Sequence, residues 1–188
     1  MLNEIVDQNI LNEYKYKQFD DNLIVIYDFI SHNEQNILLN IINNVNDRWM
    51  YNDDKYSELA VINDKPITQV LTKRFNHILQ NKNLYPSEFS TVFKFKKGDQ
   101  LTEHIDYGPH IDNMIYSSVL YLNDDFTGGE LYFTKKNIEI KPVARSIAIF
   151  MSDQHHLVKP VTSENYRYCL PNFSYKDYNK LVEIARNN

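Results

Sequence analysis

Residues 115–122, with the sequence IYSSVLYL, form a strongly apolar run that ends at the turn-forming segment 123–127. A short apolar run bounded by turn residues predicts a buried β-strand. Short strand-like segments of the same kind lie on both sides of this run. Several short strands with regular turn signals predict a double-sheet barrel or sandwich. The further strands are predicted at residues 90–95, around 104–106, and at 129–134, 138–140, 146–151, 157–161 and 166–175.

The first half of the chain has a different pattern. Leu23–Tyr27 is apolar and β-branched and predicts one strand. Ser31 and Glu34 have the spacing of a capping box at the start of a helix. A second helix is predicted after Pro66, with an apolar face made of Val70, Leu71, Phe75, Ile78 and Leu79. Because these helices precede most of the strands, we expect them to brace the outside of the sheet pair.

The remaining segments are polar or lack a clear period. Residues 1–20 are expected to form a loose lead-in or a short helix, and residues 50–64 a loop. The sequence contains no repeat, low-complexity tract or linker. It therefore predicts one domain over residues 1–188, with a core at about residues 24–175.

Composition excludes several classes of function. The formal net charge of −5 gives no electrostatic attraction to nucleic acid or to an anionic membrane, so we expect neither as a partner. The one cysteine, Cys169, cannot form an intramolecular disulfide, which favours a reducing compartment. We see no signal peptide and no apolar stretch near the ~20 residues of a spanning helix, so a cytoplasmic location is expected.

Two histidines and an aspartate have the pattern of a metal site. His104 and Asp106 are two residues apart, so on a β-strand they would point to the same face. His156 could join them from a distant strand, although the adjacent His155 is also a candidate. Two imidazoles and one carboxylate on one side of a metal suit Fe(II), with open positions for a cosubstrate and O₂.

Several further motifs follow one another in a fixed order along the chain. Taken together they resemble the Fe(II)/2-oxoglutarate-dependent dioxygenases, in particular the prolyl 4-hydroxylase-like branch. The resemblance covers roughly residues 24–175. The matching segments are Tyr27–Ser31, Phe95–Gly98, the His104-Ile105-Asp106 triplet, Leu120–Asn123, Gly128–Leu131, His156–Val161 and Arg167-Tyr168.

The resemblance implies a mainly β fold with flanking helices, the double-stranded β-helix or jelly roll. It implies Fe(II), 2-oxoglutarate and O₂ as cofactors, with ascorbate as an optional reductant. His104, Asp106 and His156 would be the catalytic metal ligands, because His156 and not His155 has the family's spacing to the prolines and valines that follow. Arg167 would pair with the distal carboxylate of 2-oxoglutarate, and Tyr121 would donate a hydrogen bond to the same group.

This sequence departs from the family pattern at two places. Phe95 stands where relatives often carry a tyrosine, and a phenyl ring cannot donate the corresponding hydrogen bond. The turn at residues 163–166 is one residue longer than usual before Arg167.

The function implied is that of a hydroxylase, most directly a prolyl 4-hydroxylase acting on proteins or peptides. The carboxylate of Asp106 favours hydroxylation, because relatives that transfer halide lack it. Two segments, 50–64 and 107–115, would contact the substrate. The residues in or beside them that could do so are Trp49, Tyr51, Tyr56, Tyr107, His110 and Met114. Another amino acid or a small molecule as substrate, and a jelly-roll module that binds metal without catalysis, stay open, as does the oligomeric state.

Overall fold

The computed structural model describes residues 6–45, 49–52, 57–79, 84–106 and 113–177. Within these ranges the chain forms three helices and thirteen strands. The helices are α1 (Gln8–Leu11), α2 (His32–Asn43) and α3 (Lys65–Ile78). The strands are β1 (Tyr16–Asp20), β2 (Leu23–Ile26), β3 (Met50–Asn52), β4 (Ser57–Val61), β5 (Tyr85–Pro86), β6 (Thr91–Phe95), β7 (Leu101–His104), β8 (Met114–Tyr121), β9 (Leu131–Phe133), β10 (Ile138–Ile140), β11 (Ile147–Met151), β12 (His156–Val158) and β13 (Arg167–Tyr175).

The described strands form two antiparallel sheets. The major sheet has the order β1-β2-β11-β8-β13-β6-β4-β3, and β5 pairs with β13. The minor sheet has the order β10-β9-β12-β7. This mainly β architecture with flanking helices is the predicted double-stranded β-helix.

The core has two layers, one on each face of the major sheet. On one face, the helices pack against the sheet. Leu38 of α2 and Phe75 of α3 share a buried cluster with Leu120 of β8. On the other face, the two sheets pack together, with the rings of Phe133 and Phe150 edge to face at 5.1 Å. The helices therefore brace the outer face, as predicted, and the space between the sheets stays available for a site.

Both predicted helices are present, with local signals at their starts. Ser31 and Glu34 form the expected capping box of α2. Asp64 caps α3 by accepting a hydrogen bond from the amide of Ile67, with Pro66 in the first turn. The predicted apolar face of α3 is wrong at Val70, which is 45% exposed.

Four strands were missed by the sequence patterns, and one of them is the two-residue strand β5, which pairs with β13. β1 lies in the segment expected to be a lead-in, and β3 and β4 lie in the segment expected to be a loop. β1 and β3 are the edge strands of the major sheet, and β1 is largely exposed, so β1 does not show the alternation of a half-buried strand. β4 forms through its pairing with β6.

In the part of the chain that the structure describes, no helix is long and apolar enough to span a membrane.

Candidate metal centre

The two histidines of the candidate triad lie on neighbouring strands of the minor sheet. His104 ends β7 and His156 begins β12, and the two residues are directly paired in the sheet. Their ring centroids are 4.3 Å apart. Nε2 of His104 lies 3.5 Å from Oδ1 of Asp106, and Nε2 of His156 lies 3.7 Å from Oδ2. One ligand atom from each residue falls within 4.8 Å of the others, which is close enough for one ion to contact all three.

The predicted placement of Asp106 on the same strand as His104 is wrong. Strand β7 ends at His104, and Asp106 lies in the bend that follows. The amide of Asp106 donates a hydrogen bond of 3.0 Å to the carbonyl oxygen of Ser152. This backbone contact, rather than strand alternation, turns the carboxylate toward the two imidazoles.

Backbone carbonyl groups fix the orientation of both rings. Nδ1 of His104 lies 2.7 Å from the carbonyl oxygen of Thr102, and Nδ1 of His156 lies 2.8 Å from that of Gln154. A carbonyl oxygen can only accept, so each Nδ1 carries the proton. Each Nε2 then presents a lone pair to the centre of the triad, as a metal-ligating histidine does.

The charges of the triad favour the ligand forms of its members. Burial by itself would raise the pKa of Asp106, but the two imidazoles, when protonated, and a hydrogen bond with Ser117 together lower that pKa. Burial lowers the pKa of His156, and Asp106 opposes this effect. A carboxylate and a neutral imidazole are therefore present at neutral pH, and these are the forms that bind metal.

His155 does not join the triad. Its side chain is 47% exposed, and its Nδ1 lies 3.1 Å from Oε1 of Glu103 on the outer surface. His156, by contrast, is 4% exposed and faces the cavity between the sheets. The structure thus separates the two adjacent histidines, which point to opposite faces of the sheet as β-strand geometry requires.

A cavity of about 140 Å³ lies between the sheets and is lined by the triad and Arg167. Among the described residues, no other charged side chain lines it. Outside the triad, the partly buried portion of the wall is apolar. It consists of Phe93, Leu101, Val119, Pro171 and Phe173.

Arg167 is a buried cation without a carboxylate partner in the described part of the chain. It is 1% exposed and lies on β13 opposite Phe95 of β6. Its guanidinium carbon is 4.6 Å from the Phe95 ring centroid and 5.3 Å from that of Tyr121. Nε donates to the carbonyl oxygen of Gly129 at 3.1 Å, and Nη1 to Sγ of Cys169 at 3.0 Å. Since a buried unpaired charge is costly, the arrangement suits an anionic ligand.

Tyr121 lies beside this cation but does not line the cavity. It is fully buried, and its hydroxyl hydrogen has no acceptor among the described residues. Burial raises the pKa of Tyr121, and the positive charge of Arg167 opposes the rise. The hydroxyl is therefore a protonated donor that lacks an acceptor.

These groups fit iron and a dicarboxylate. Two neutral imidazoles and one carboxylate are a donor set typical of Fe(II) oxygenases. A guanidinium with an unused edge and an unsatisfied hydroxyl suit the far carboxylate of 2-oxoglutarate. Phe95 takes the place of a polar contact, and its ring instead stacks on Arg167.

Sequence reasoning missed two contributors, Ser152 and Gly129. The hydroxyl groups of Ser117 and Ser152 lie 2.9 Å apart beside Asp106, and Gly129 contributes its carbonyl group to Arg167. Ser117 could be placed by alternation from Tyr121, four residues later on the same strand. No sequence signal identifies Ser152, because its position depends on the turn after β11.

Some predicted substrate contacts cannot be located or lie elsewhere. Tyr56, Tyr107 and His110 fall outside the described residues. Trp49 packs on Tyr168, with ring centroids 6.4 Å apart, and does not line the cavity. Met114 is buried and also does not line it.

The segment that contains these residues matches a known family of proteins. The model of the 2OG-Fe(II) oxygenase superfamily matches residues 89–175, which include the triad, Tyr121 and Arg167. No curated protein sequence matches the chain.

Solved structures of prolyl hydroxylases have a similar fold. A viral collagen prolyl hydroxylase from Paramecium bursaria Chlorella virus-1, in complex with 2OG, is 17% identical with a TM-score of 0.67, covering 84% of this chain and 97% of that one. A Trichoplax adhaerens prolyl hydroxylase, in complex with a peptide of the hypoxia inducible factor oxygen degradation domain, is 18% identical with a TM-score of 0.68, covering 96% and 92%. A Pseudomonas putida prolyl-4-hydroxylase is 16% identical with a TM-score of 0.67, covering 94% and 100%. At these identities the likeness shows the shared fold.

Proposed function

This chain belongs to the 2OG-Fe(II) oxygenase superfamily, and from that premise we propose that it is a prolyl 4-hydroxylase acting on proteins or peptides. It is a 2-oxoglutarate/Fe(II)-dependent dioxygenase, with Fe(II), 2-oxoglutarate and O₂ as its cofactors. The finer parts of the proposal are the substrate and the role of each residue.

We assign Fe(II) to Nε2 of His104, Nε2 of His156 and the carboxylate of Asp106. Arg167 binds the far carboxylate of 2-oxoglutarate, and Tyr121 donates a hydrogen bond to the same group. Bound iron supplies the activation of O₂, coupled to conversion of 2-oxoglutarate to succinate and CO₂, that oxidises an unactivated C–H bond. The protein contributes fixed imidazole tautomers, a buried cation that orients the dicarboxylate, and an apolar wall that excludes water.

The observation that carries the substrate class is the lack of charge on the described cavity wall outside the triad and Arg167. A free amino acid brings an ammonium and a carboxylate group, and each would need a partner when buried. A prolyl residue within a chain carries neither charge, and its ring suits the apolar wall that includes Phe93, Val119 and Phe173. The described cavity therefore favours a peptide over a free amino acid.

The proposal is tested by succinate release and by mass spectrometry of the substrate. A panel of proline-containing peptides is compared with the same peptides carrying alanine in place of proline, and with free L-proline. We expect succinate release to depend on the peptide proline and the peptide to gain one oxygen atom at that residue. Hydrolysis and amino-acid analysis then show whether the oxygen is at C4. Turnover driven by a free amino acid, or by the alanine peptides equally well, would overturn the substrate assignment.

We also propose that residues 1–188 act as one domain in the cytoplasm. Buried residues from Val6 to Leu170 share one hydrophobic cluster, which supports a single folding unit. The free thiol of Cys169 is buried, which is consistent with a reducing compartment. A single cooperative unfolding transition followed by two spectroscopic probes would test the domain assignment.

A further inference from the structure

We infer that Gly129 is a positioning residue for the cosubstrate: its carbonyl oxygen and its lack of a side chain together fix the guanidinium group of Arg167. The inference rests on the proposed role of Arg167 as the anchor of 2-oxoglutarate. The paired glycines 128 and 129 look at first like an ordinary turn before β9, and the contacts of Gly129 give it this second role.

The first contact sets the orientation of the guanidinium plane. Nε of Arg167 donates to the carbonyl oxygen of Gly129 at 3.1 Å in a buried setting. Nη1 is directed at Sγ of Cys169. With these two nitrogens engaged by the protein, the edge that carries Nη2 is the one left to meet a carboxylate.

The second contact leaves no space for a methyl group. A Cβ atom on Gly129 would lie 2.8 Å from Cδ of Arg167, with Phe126 and Val161 at 3.1 and 3.3 Å from the same point. The arginine cannot turn aside freely, because its guanidinium packs against the ring of Phe95 and is held by two hydrogen bonds. Any side chain here must therefore displace the anchor.

The backbone of Gly129 is itself held in place. Its amide donates to the carbonyl oxygen of Pro160 at 3.2 Å, and Gly128 pairs with Val161. These bonds tie the turn to the segment that follows His156, so the carbonyl that orients Arg167 is fixed relative to the metal centre.

Gly129 also has a φ of +69°, a conformation that strains any other residue. A substitution therefore combines backbone strain with the contact to Arg167. Gly98 separates the two effects, because it has a φ of +89° and nothing within 4 Å of its would-be Cβ. Gly98→Ala is thus a matched control that carries the strain without the contact.

The experiment is anaerobic titration of the Fe(II)-loaded protein with 2-oxoglutarate, followed by its visible absorption, together with a separate measurement of Fe(II) affinity. We expect Gly129→Ala to raise the dissociation constant of 2-oxoglutarate by about 10- to 100-fold, by analogy with the loss seen when a group that holds a metal-ligating side chain is removed. Fe(II) affinity should be unchanged, and Gly98→Ala should bind both as the parent does. In turnover assays, Gly129→Ala should raise KM for 2-oxoglutarate more than it lowers kcat.

If Gly129→Ala bound 2-oxoglutarate as tightly as Gly98→Ala, the inference would be wrong. If the parent protein itself failed to bind 2-oxoglutarate, the proposed role of Arg167 would fall first, so the two failures are distinguishable.

A second measurement covers the case in which Gly129→Ala folds poorly. Thermal unfolding is compared for Gly129→Ala, Arg167→Ala and the double variant. Because Arg167→Ala removes the Cδ atom that a new Cβ would meet, we expect Gly129→Ala to lower the unfolding midpoint less in that background. An equal loss in both backgrounds would mean that Arg167 is not the affected neighbour, and would overturn the inference.

Discussion

At the two histidines of the candidate metal centre, main-chain oxygen atoms decide which ring nitrogen faces the middle of the triad. The acceptors belong to Thr102 and Gln154, each two residues before its histidine. Because only their carbonyl groups take part, the side chains at these positions are free to vary. Sequence motifs can therefore propose His104 and His156 as candidate ligands but cannot show how their tautomers are set.

Tyr121 gives the first prediction at this scale. Its buried hydroxyl has no acceptor among the described residues, so Tyr121→Phe should leave the stability of the cofactor-free protein unchanged or raise it by up to about 1 kcal/mol. In the presence of 2-oxoglutarate the same change should weaken cosubstrate binding by about 1–2 kcal/mol, because a hydrogen bond to a charged group is lost. Urea unfolding and 2-oxoglutarate titration measure the two effects.

Tyr116→Phe is the matched control for this change. Tyr116 lies on the same strand, β8, but packs in the cluster between the major sheet and the helices. Tyr116→Phe should leave the affinity for 2-oxoglutarate unchanged. If Tyr121→Phe also left that affinity unchanged, Tyr121 would not contact the cosubstrate.

At the residue scale, the motifs and the family resemblance name four candidate side chains: His104, Asp106, His156 and Arg167. The structure brings all four to the wall of one cavity, and their roles stay predictions. The reason given for Asp106 was wrong, because the turn after β7 and its bond to Ser152 depend on a contact across 46 residues of sequence. Local alternation holds no information about such a contact.

At the scale of elements, Glu34 joins the start of α2 to the middle of α3. Its carboxylate accepts hydrogen bonds from the amide and hydroxyl of Ser31 at 2.8 and 2.9 Å. It also accepts from Nη1 and Nη2 of Arg74 at 2.9 and 2.6 Å, and Arg74 reaches on to the carbonyl oxygen of Phe29. These bonds, chiefly the one from Arg74, lower the pKa of Glu34 to about 2.

The ion pair gives a prediction for stability and its pH dependence. Glu34→Gln should lower the free energy of unfolding at neutral pH by about 1–2 kcal/mol, a discounted value because solvent partly screens the pair. Since the folded pKa lies below the ordinary value of 4.5, the contribution is present above about pH 4.5 and is lost as pH falls toward 2. The two proteins should therefore converge in stability in acid.

Urea unfolding at pH 7 and at successively lower pH measures this difference. Glu88→Gln is the control, because the Lys65–Glu88 pair is exposed and contributes little. A constant gap between parent and Glu34→Gln across the acid range would contradict the assignment of the pKa shift to Glu34.

Elements with local signals were predictable, and those formed by long-range pairing were not. The capping pair Ser31 and Glu34 indicates the start of α2 within four residues of sequence. Asp64 and Pro66 indicate the start of α3. The segment Ser57–Val61 has no such signal. It becomes a strand because it pairs with the side of β6 that does not pair with β13. Val70 follows the helical period yet faces solvent, since the period alone does not say how wide a face the sheet covers.

At the scale of the whole molecule, the site joins the two sheets. His104 and His156 belong to the minor sheet, whereas Arg167 belongs to the major sheet. The jelly-roll class could be predicted from the series of short strands after residue 90. The sheet order could not, because β8 lies between β11 and β13, which are distant from it in sequence.

Because the ligands bridge the sheets, they should stabilise the molecule as a whole. Binding of Mn(II), a redox-inert substitute for Fe(II), with 2-oxoglutarate at 100 times its dissociation constant should add about 2.7 kcal/mol of stability. For a chain of this size the unfolding midpoint should then rise by about 5–10 °C. Differential scanning fluorimetry with and without EDTA measures the shift. If the unfolding midpoint of the parent protein did not change when both ligands were added, that result would contradict the bridging site.

The central claim is that His104, Asp106 and His156 hold iron beside a 2-oxoglutarate site. The most direct test is an anaerobic visible spectrum of the protein titrated with Fe(II) and 2-oxoglutarate, which needs no knowledge of the substrate. We expect a weak metal-to-ligand charge-transfer band in the parent and in His155→Ala, and none in His156→Ala. No band in a parent protein shown by equilibrium dialysis to bind Fe(II) would contradict the claim, as would a band that persists in His156→Ala and disappears in His155→Ala.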